Sequence, residues 1–192
     1  MISRVIDKGA VVAGWVGVGM ALVIAIAFEL IIPVQTVVFL LAPLAGVVIG
    51  VYANVRAERW RPRARVLANS AWAGLMTGLG LALLYVFIRI VFVYGDSGAL
   101  PDGTRIACQS GPDCTYQRYV LAGEATTLAA RGITDGASYE RVFLTQDMPA
   151  TAGALLLLTL GGAVIGGLAR TFAPRPTSLP LPSPARQRPA EQ

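Results

Sequence analysis

The chain has 192 residues, of which 55% are hydrophobic and only 14% are charged. Soluble domains carry about 25% charged residues, so this composition excludes an ordinary soluble domain and favours an integral membrane protein. The sequence contains no histidine, which removes the commonest general base, metal ligand and pH switch of proteins.

The first two apolar stretches predict a helical hairpin. Residues 1–9 form a short polar lead, and Ala10–Ile32 and Val34–Val55 follow. Each stretch reaches the roughly 20 residues that a helix needs to cross a bilayer. Pro33 lacks an amide donor and ends the first helix, so the turn between the two is tight. Pro43 predicts a kink in the second helix.

The first helix is expected to remain part of the protein. Ala25-Ile26-Ala27 resembles the cleavage site of a signal peptide that follows a basic lead. The apolar run continues through and beyond this site and is longer than the apolar core of a usual signal peptide, so we do not expect cleavage. Trp15 lies deeper in the same helix and is predicted to pack inside the bundle.

The third and fourth apolar stretches are Val66–Tyr94 and Pro149–Ala169. The third has 29 residues and must tilt or extend beyond the hydrocarbon layer. Pro149 suits the first turn of the fourth helix, which we assign to residues 149–170. Together the stretches predict an all-α fold, a membrane-embedded four-helix bundle whose first three spans occupy residues 10–94.

Residues 95–148 differ in composition and are predicted to form an external loop. They are rich in Gly, Asp, Thr and Ser, which are turn-forming residues. Gln117–Ala130 has a partial apolar face and predicts a surface helix, whereas Tyr139–Leu144 fits either a short helix or a strand. Residues 171–192 contain six prolines and are predicted to be a disordered tail.

The distribution of charge predicts the orientation of the chain. Eleven of the sixteen basic residues precede the first stretch, separate the second from the third, or follow the fourth, whereas residues 95–148 hold four arginines against seven acidic residues. Short basic connections stay in the cytoplasm, so we expect a multi-pass cell-membrane protein with both termini cytoplasmic. The arginines have no folded domain that would present them to nucleic acid, so membrane lipids are the expected partner.

Cys108 and Cys114 are the two cysteines of the chain. Both lie on the predicted external, oxidising side, and the turn-forming sequence Gly111-Pro112-Asp113 between them brings them together. They therefore predict a disulfide that braces the external loop. A redox pair would favour the spacing Cys-x-x-Cys with a helix start, whereas the spacing here is wider and we expect no helix to begin beside the cysteines. A metal site needs further ligands, so we predict no metal and no cofactor.

Glu29 and Arg89 are the only charged residues within the apolar stretches. Both lie near the end of helices that run in the same direction, so they are expected at a similar depth. Pairing would offset part of the cost of inserting each charge. Three interpretations remain open: separate extension to the headgroups, a structural ion pair, or a proton or substrate site.

Small residues recur four positions apart in every predicted helix. This spacing places them on one helix face and lets two backbones approach closely. We interpret the pattern as packing within one bundle, with a dimerisation face as the alternative. The glycines concerned are Gly14, Gly17, Gly46, Gly50, Gly74, Gly78, Gly162 and Gly166.

The sequence shows no recognisable nucleotide-binding loop, nucleophile motif or paired-carboxylate site. The leading hypothesis is therefore a non-enzymatic accessory or scaffold subunit of a larger membrane complex, which associates with other membrane proteins or with itself. The alternative is a small oligomeric transporter or channel with Glu29 and Arg89 near its outer mouth. A third hypothesis is a membrane enzyme that uses Asp96 or Asp102.

Overall fold

The computed structural model of the chain describes residues 6–31, 35–56, 62–100 and 103–172. Within these ranges there is no strand, only an isolated antiparallel bridge between Ala99 and Arg105. The predicted all-α class is thus confirmed. The helices are α1 (Lys8–Ala25), α2 (Gln35–Arg56), α3 (Arg63–Tyr94), α4 (Pro112–Leu121), α5 (Ala125–Ala130), α6 (Gly136–Val142) and α7 (Met148–Phe172), with π-helical segments at Ile26–Ile31 and Phe143–Asp147.

Four helical stretches are long and apolar enough to cross a membrane. They cover Lys8–Phe28, Thr36–Val55, Arg63–Tyr94 and Gly136–Phe172, so the four predicted apolar helices are confirmed. The turn at Pro33 and the proline-rich tail lie outside the described residues.

The fourth long helix begins before its apolar stretch. The Asp135 side chain accepts a hydrogen bond from the Ser138 amide, and the Ser138 hydroxyl accepts one from the Asp135 amide, which makes a capping box. The helix then passes through the π-helical turn Phe143–Asp147 into α7. Pro149 follows directly on that wider turn, so its missing amide does not interrupt the helix. Residues 139–144, for which the sequence favoured neither form, are helical.

The four long helices pack as a bundle of two parallel pairs. α1 and α7 each contact both α2 and α3, and α2 contacts α3. A Cβ at Gly17 would meet Thr77, and one at Gly166 would meet Val47; together with the other contacts along these helices, they place α1 parallel to α3 and α2 parallel to α7. We call the end where α1 and α3 begin the arginine end, and the opposite end the capped end.

Residues 95–147, which we call the cap, pack against the capped end. The segment expected as a loop holds three short helices, α4 to α6. The single helix predicted over Gln117–Ala130 is divided in two, because Gly123 has φ +86°, a conformation that favours glycine and ends a helix. Leu128 and Phe143 of the cap share one apolar core with Leu81 and Leu155 of the bundle, so cap and bundle are joined by side-chain packing.

Large apolar side chains cover the outside of the bundle. Leu83 in α3 and Leu157 in α7 are each 68% exposed. Trp15 in α1, which was expected to pack inside, is instead 65% exposed. The interior positions of α1 go to small residues such as Ala13 and Ala21, and their close contact with α3 leaves no room for an indole ring.

Candidate functional site at the junction of cap and bundle

A cavity of about 380 Å³ lies between the cap and the capped end of the bundle. The five helices α3 to α7 all contribute to its wall. Ligand sites are commonly about 300–1,000 Å³, so the volume suits a small polar group. The larger polar side chains that line it are Tyr85, Arg89, Tyr119, Glu124, Arg131, Tyr139 and Asp147.

Aromatic rings stack along one wall of this cavity. The Tyr139 ring lies 5.9 Å from that of Tyr119 and 6.2 Å from that of Phe143, to which it is nearly parallel. Such pairs contribute about 0.5–1.5 kcal/mol beyond their burial, so they hold the wall rigid. Tyr139 and Phe143 lie four residues apart on one helical run, which explains why their rings meet.

A second cavity, of about 600 Å³, adjoins the first at Arg89 and Tyr119. Val91, Phe92 and Val93 supply its apolar side, while Asp96, Thr115 and Arg118 supply polar groups. Val91 and Phe92 are themselves exposed on the outside of the bundle. The second cavity therefore connects the surroundings of Arg89 with the apolar outer surface of α3.

The Arg89 guanidinium lies where the two cavities meet. Its Nε atom is buried, and within the described part of the chain it has no hydrogen-bond partner. A buried donor without an acceptor costs about 1–3 kcal/mol, and more when the group is charged. The position is thus one where an acceptor brought by another molecule would be favourable.

The predicted relation between Glu29 and Arg89 stays a prediction, because the side chain of Glu29 lies outside the described residues. The backbone of Glu29 belongs to the π-helical segment after α1. Gly17 lies against Thr77 in the parallel pair of α1 and α3, and twelve residues further along both helices are Glu29 and Arg89. The register therefore puts both backbones at a similar level.

The two cysteines lie at disulfide distance in the cap, with Sγ atoms 2.00 Å apart. Contrary to the expectation that no helix begins beside them, α4 starts at Pro112, and Cys114 lies buried in its first turn. Gly98 packs against the Sγ atoms of both cysteines. The bridge therefore joins the start of α4 to the segment just before it, and the chain that leaves α3 packs against the bridge at Gly98.

Asp96 is held in place by hydrogen bonds from other residues of the cap. The Arg118 guanidinium donates to both of its carboxylate oxygens, at 2.7 and 2.9 Å, and the Gly98 amide donates to it at 2.8 Å. These hydrogen bonds, led by that of Arg118, lower the pKa of Asp96. This environment makes Asp96 a structural ion-pair partner. Asp102, the other carboxylate considered for catalysis, lies outside the described residues.

The eight glycines singled out in the sequence all lie at contacts between helices of this one chain. Added Cβ atoms would overlap the Thr159 carbonyl oxygen at Gly46 and the Pro43 carbonyl oxygen at Gly162. At Gly14 the neighbour is the Met76 side chain, 3.3 Å from an added Cβ. The remaining contacts are Gly17 with Thr77, Gly50 and Gly74 with Ala163, Gly78 with Leu156, and Gly166 with Val47.

A polar cluster at the arginine end was missed by the sequence analysis. Asn69 is fully buried and is bonded to both the amide and the carboxylate of Asp7, each at 3.0 Å. Asn54 donates to the Ser70 hydroxyl and to the Gly50 carbonyl. The available signal was the pair Asn69-Ser70 inside an apolar stretch, since buried polar groups require partners.

The sequence also missed most of the cavity wall. It singled out Arg89 but not Tyr119, Tyr139, Arg131 or Asp147. Arg131 and Asp147 form an ion pair at the edge of the cavity, although they are sixteen residues apart. Only the folding of α5 and α6 against the bundle brings these groups to Arg89.

Among the described residues, no group of three or more His, Cys, Asp or Glu side chains could hold a metal ion. The junction offers guanidiniums, phenol and threonine hydroxyls and the carboxylates of Glu124 and Asp147 around a cavity, and of these groups the guanidinium of Arg89 can bind an anion. No protein-family model, curated protein or solved structure matches the chain.

Proposed function

We propose that this chain is a four-span membrane protein that acts through binding at its cap, as an accessory or scaffold subunit of a larger membrane complex. The bundle anchors the cap in the membrane, and the cap presents the recognition surface on the external side. In this proposal both termini are cytoplasmic.

The apolar exterior supports membrane embedding. Side chains such as Trp15, Leu83 and Leu157 are about two-thirds exposed in the middle of long helices. In water such a surface would drive aggregation, whereas lipid tails solvate it without cost. The interior is packed through backbone contacts at small residues, which is the way helices associate in a lipid environment.

The observation that carries a binding role, rather than transport, is the closed middle of the bundle. Gly46 and Gly50 of α2 touch the backbone of α7, and Gly74 of α3 touches Ala163 from the other side. The buried hydroxyls at this level, Thr77 and Thr159, bond to carbonyls of their own helices. The described interior therefore offers no polar path, which a transporter needs near its midplane.

Topology is tested first, by alkali extraction of membranes and by reporters fused after Gln192. The chain is expected to stay in the membrane pellet with the reporter on the cytoplasmic side. Thiol labelling of intact cells is expected only after treatment with a reductant, at Cys108 and Cys114. A reporter on the external side would contradict the orientation.

The accessory role is tested by purification from the native membrane in mild detergent. A stoichiometric membrane-protein partner, lost when exposed cap residues such as Leu121 and Leu144 are changed to Ser, supports the proposal. Leu157→Ser, an equally drastic change on the bundle, is the control. A chain that purifies without a protein partner and carries a solute flux in liposomes as an oligomer would favour the transporter alternative.

A further inference from the structure

We propose that Arg89 anchors an anion site under the cap that binds a phosphate group, carried either by a lipid headgroup or by a soluble phosphate ester. The inference goes beyond the accessory role proposed above. It rests on the cavities and on Arg89, and only its lipid form depends on membrane embedding.

The charged side chains around the cavity differ in whether they have partners. Asp147 is paired with Arg131, and Glu124 is exposed at the rim. The donor left without a partner among the described residues is the buried Nε of Arg89. An anion that enters the cavity would accept from this guanidinium, whose planar fork matches the oxygens of a phosphate or carboxylate.

The lining of the cavity also contains hydroxyl groups, which are neutral hydrogen-bond donors. Tyr119 and Tyr139 bring phenol hydroxyls to the same wall as Arg89, and Thr127 and Thr151 bring aliphatic hydroxyls. A phosphate has more acceptor oxygens than a carboxylate and can use several donors at once. The combination of a guanidinium that has a buried, unpartnered Nε with several hydroxyl-bearing residues in the same lining therefore favours a phosphate.

Arg89 lies close to the end of α3 that meets the cap. Arg89 is five residues before Tyr94, the last residue of α3, which corresponds to about 7.5 Å along the helix. If α3 spans the membrane, Arg89 lies in the last turns of the span, on the side of the headgroups. The second cavity leads from Arg89 past Val91 and Phe92 to the apolar exterior, so acyl chains attached to a phosphate at Arg89 have a route along α3.

The experiment uses the purified full-length chain, with its disulfide intact, in an uncharged detergent. The probes are dihexanoyl phosphatidylglycerol, glycerol 1-phosphate and the uncharged dihexanoyl glycerol, and binding is measured by titration calorimetry. We expect phosphatidylglycerol to bind and dihexanoyl glycerol not to bind. Binding of glycerol 1-phosphate as well would identify the phosphate group alone as sufficient, whereas its failure to bind would identify the ligand as a lipid.

Variants then test the residues. Arg89→Gln is expected to weaken binding at least tenfold, and Arg89→Lys less, because a point charge remains without the fork. Arg141→Gln removes the same charge from an exposed position in α6 outside the cavity and is expected to change binding less than twofold. Ala150 lines the cavity at the exposed start of α7. Ala150→Phe would fill the cavity while leaving the charge of Arg89 in place, and it is expected to weaken binding.

Three results would overturn the inference: no binding of either phosphate probe by the parent chain, equal binding of phosphatidylglycerol and dihexanoyl glycerol, or equal losses in Arg89→Gln and Arg141→Gln. If Arg89→Gln fails to fold, as judged by elution and helical circular dichroism, Ala150→Phe decides, and unchanged binding in that variant contradicts the site. Absence of a protein partner in mild detergent would contradict the accessory role but leave these titrations unaffected.

Discussion

The bundle and the cap are held together by different forces. Bundle interfaces are built from glycine and alanine, with backbone against backbone at Gly46, Gly50 and Gly162. The cap relies on a disulfide, a bidentate ion pair and stacked rings. In the proposed membrane-embedded bundle, burial of apolar surface would give little between helices, so close contact would have to replace it. A cap outside the membrane could use cross-links and large aromatic side chains.

The largest expected effect breaks the bundle and not the cap. Gly162→Val would drive a side chain into the Pro43 carbonyl, a backbone atom that cannot move aside, whereas Gly161 has nothing within 4 Å. We expect Gly162→Val to lower the free energy of unfolding by about 3 kcal/mol or more, at the upper end for overpacked sites. Titration with a denaturing detergent, followed by circular dichroism, measures this loss.

Gly161→Val is the matched control, one residue away on the same helix. It should leave the unfolding midpoint close to that of the parent chain. Equal losses in the two variants would mean that the contact with α2 does not hold the bundle together.

Loss of the disulfide should act on the cap and spare the bundle. A loop as short as that between Cys108 and Cys114 contributes about 2 kcal/mol through loop entropy. We expect Cys108→Ser/Cys114→Ser to raise hydrogen exchange in α4 and to leave the middle of α2 unchanged. Faster exchange throughout α2 would show that the cap is needed for bundle stability.

The ion pair between Asp96 and Arg118 should make cap stability depend on pH. The pKa of Asp96 is lowered in the folded state, so its contribution is present above the unfolded value near 3.8 and is lost as pH falls through the lower, folded pKa. Because Arg118 is partly exposed, we expect a contribution of only about 1 kcal/mol.

Asp96→Asn is therefore expected to flatten the acid-side decline in cap stability, measured by near-ultraviolet circular dichroism between pH 2 and 7. Arg105→Gln removes an exposed charge nearby and should leave the decline in place. An unchanged acid profile in Asp96→Asn would assign the decline to other carboxylates.

The smallest expected effect concerns Glu29 and Arg89, where bundle and cap meet. If the two charges pair, the variants Glu29→Gln and Arg89→Gln should show a coupling of about 0.5 kcal/mol or more in a double-mutant cycle of stability. A coupling near zero would favour separate extension of the side chains to the headgroups. The same detergent titration as above supplies the four stabilities.

Local patterns predicted the bundle better than the cap. An apolar run that crosses a bilayer must be helical, since lipid offers no partners for backbone polar groups, so composition alone specifies the four long helices. In residues 95–147 the signals compete, and Tyr139–Leu144 fitted helix and strand equally. The capping box at Asp135 resolved this ambiguity by starting a helix that runs on into α7.

The sequence by itself determined the all-α fold class, the four long apolar helices and the small residues through which these helices approach one another. These properties follow from local composition and spacing, because every residue of an apolar run contributes to the same preference. Tertiary structure alone decided that Trp15 faces outward and that Arg89 meets Tyr119 and Tyr139 in a cavity. Such contacts join residues far apart in the chain, and their geometry depends on how α3 to α7 pack, which no local pattern records.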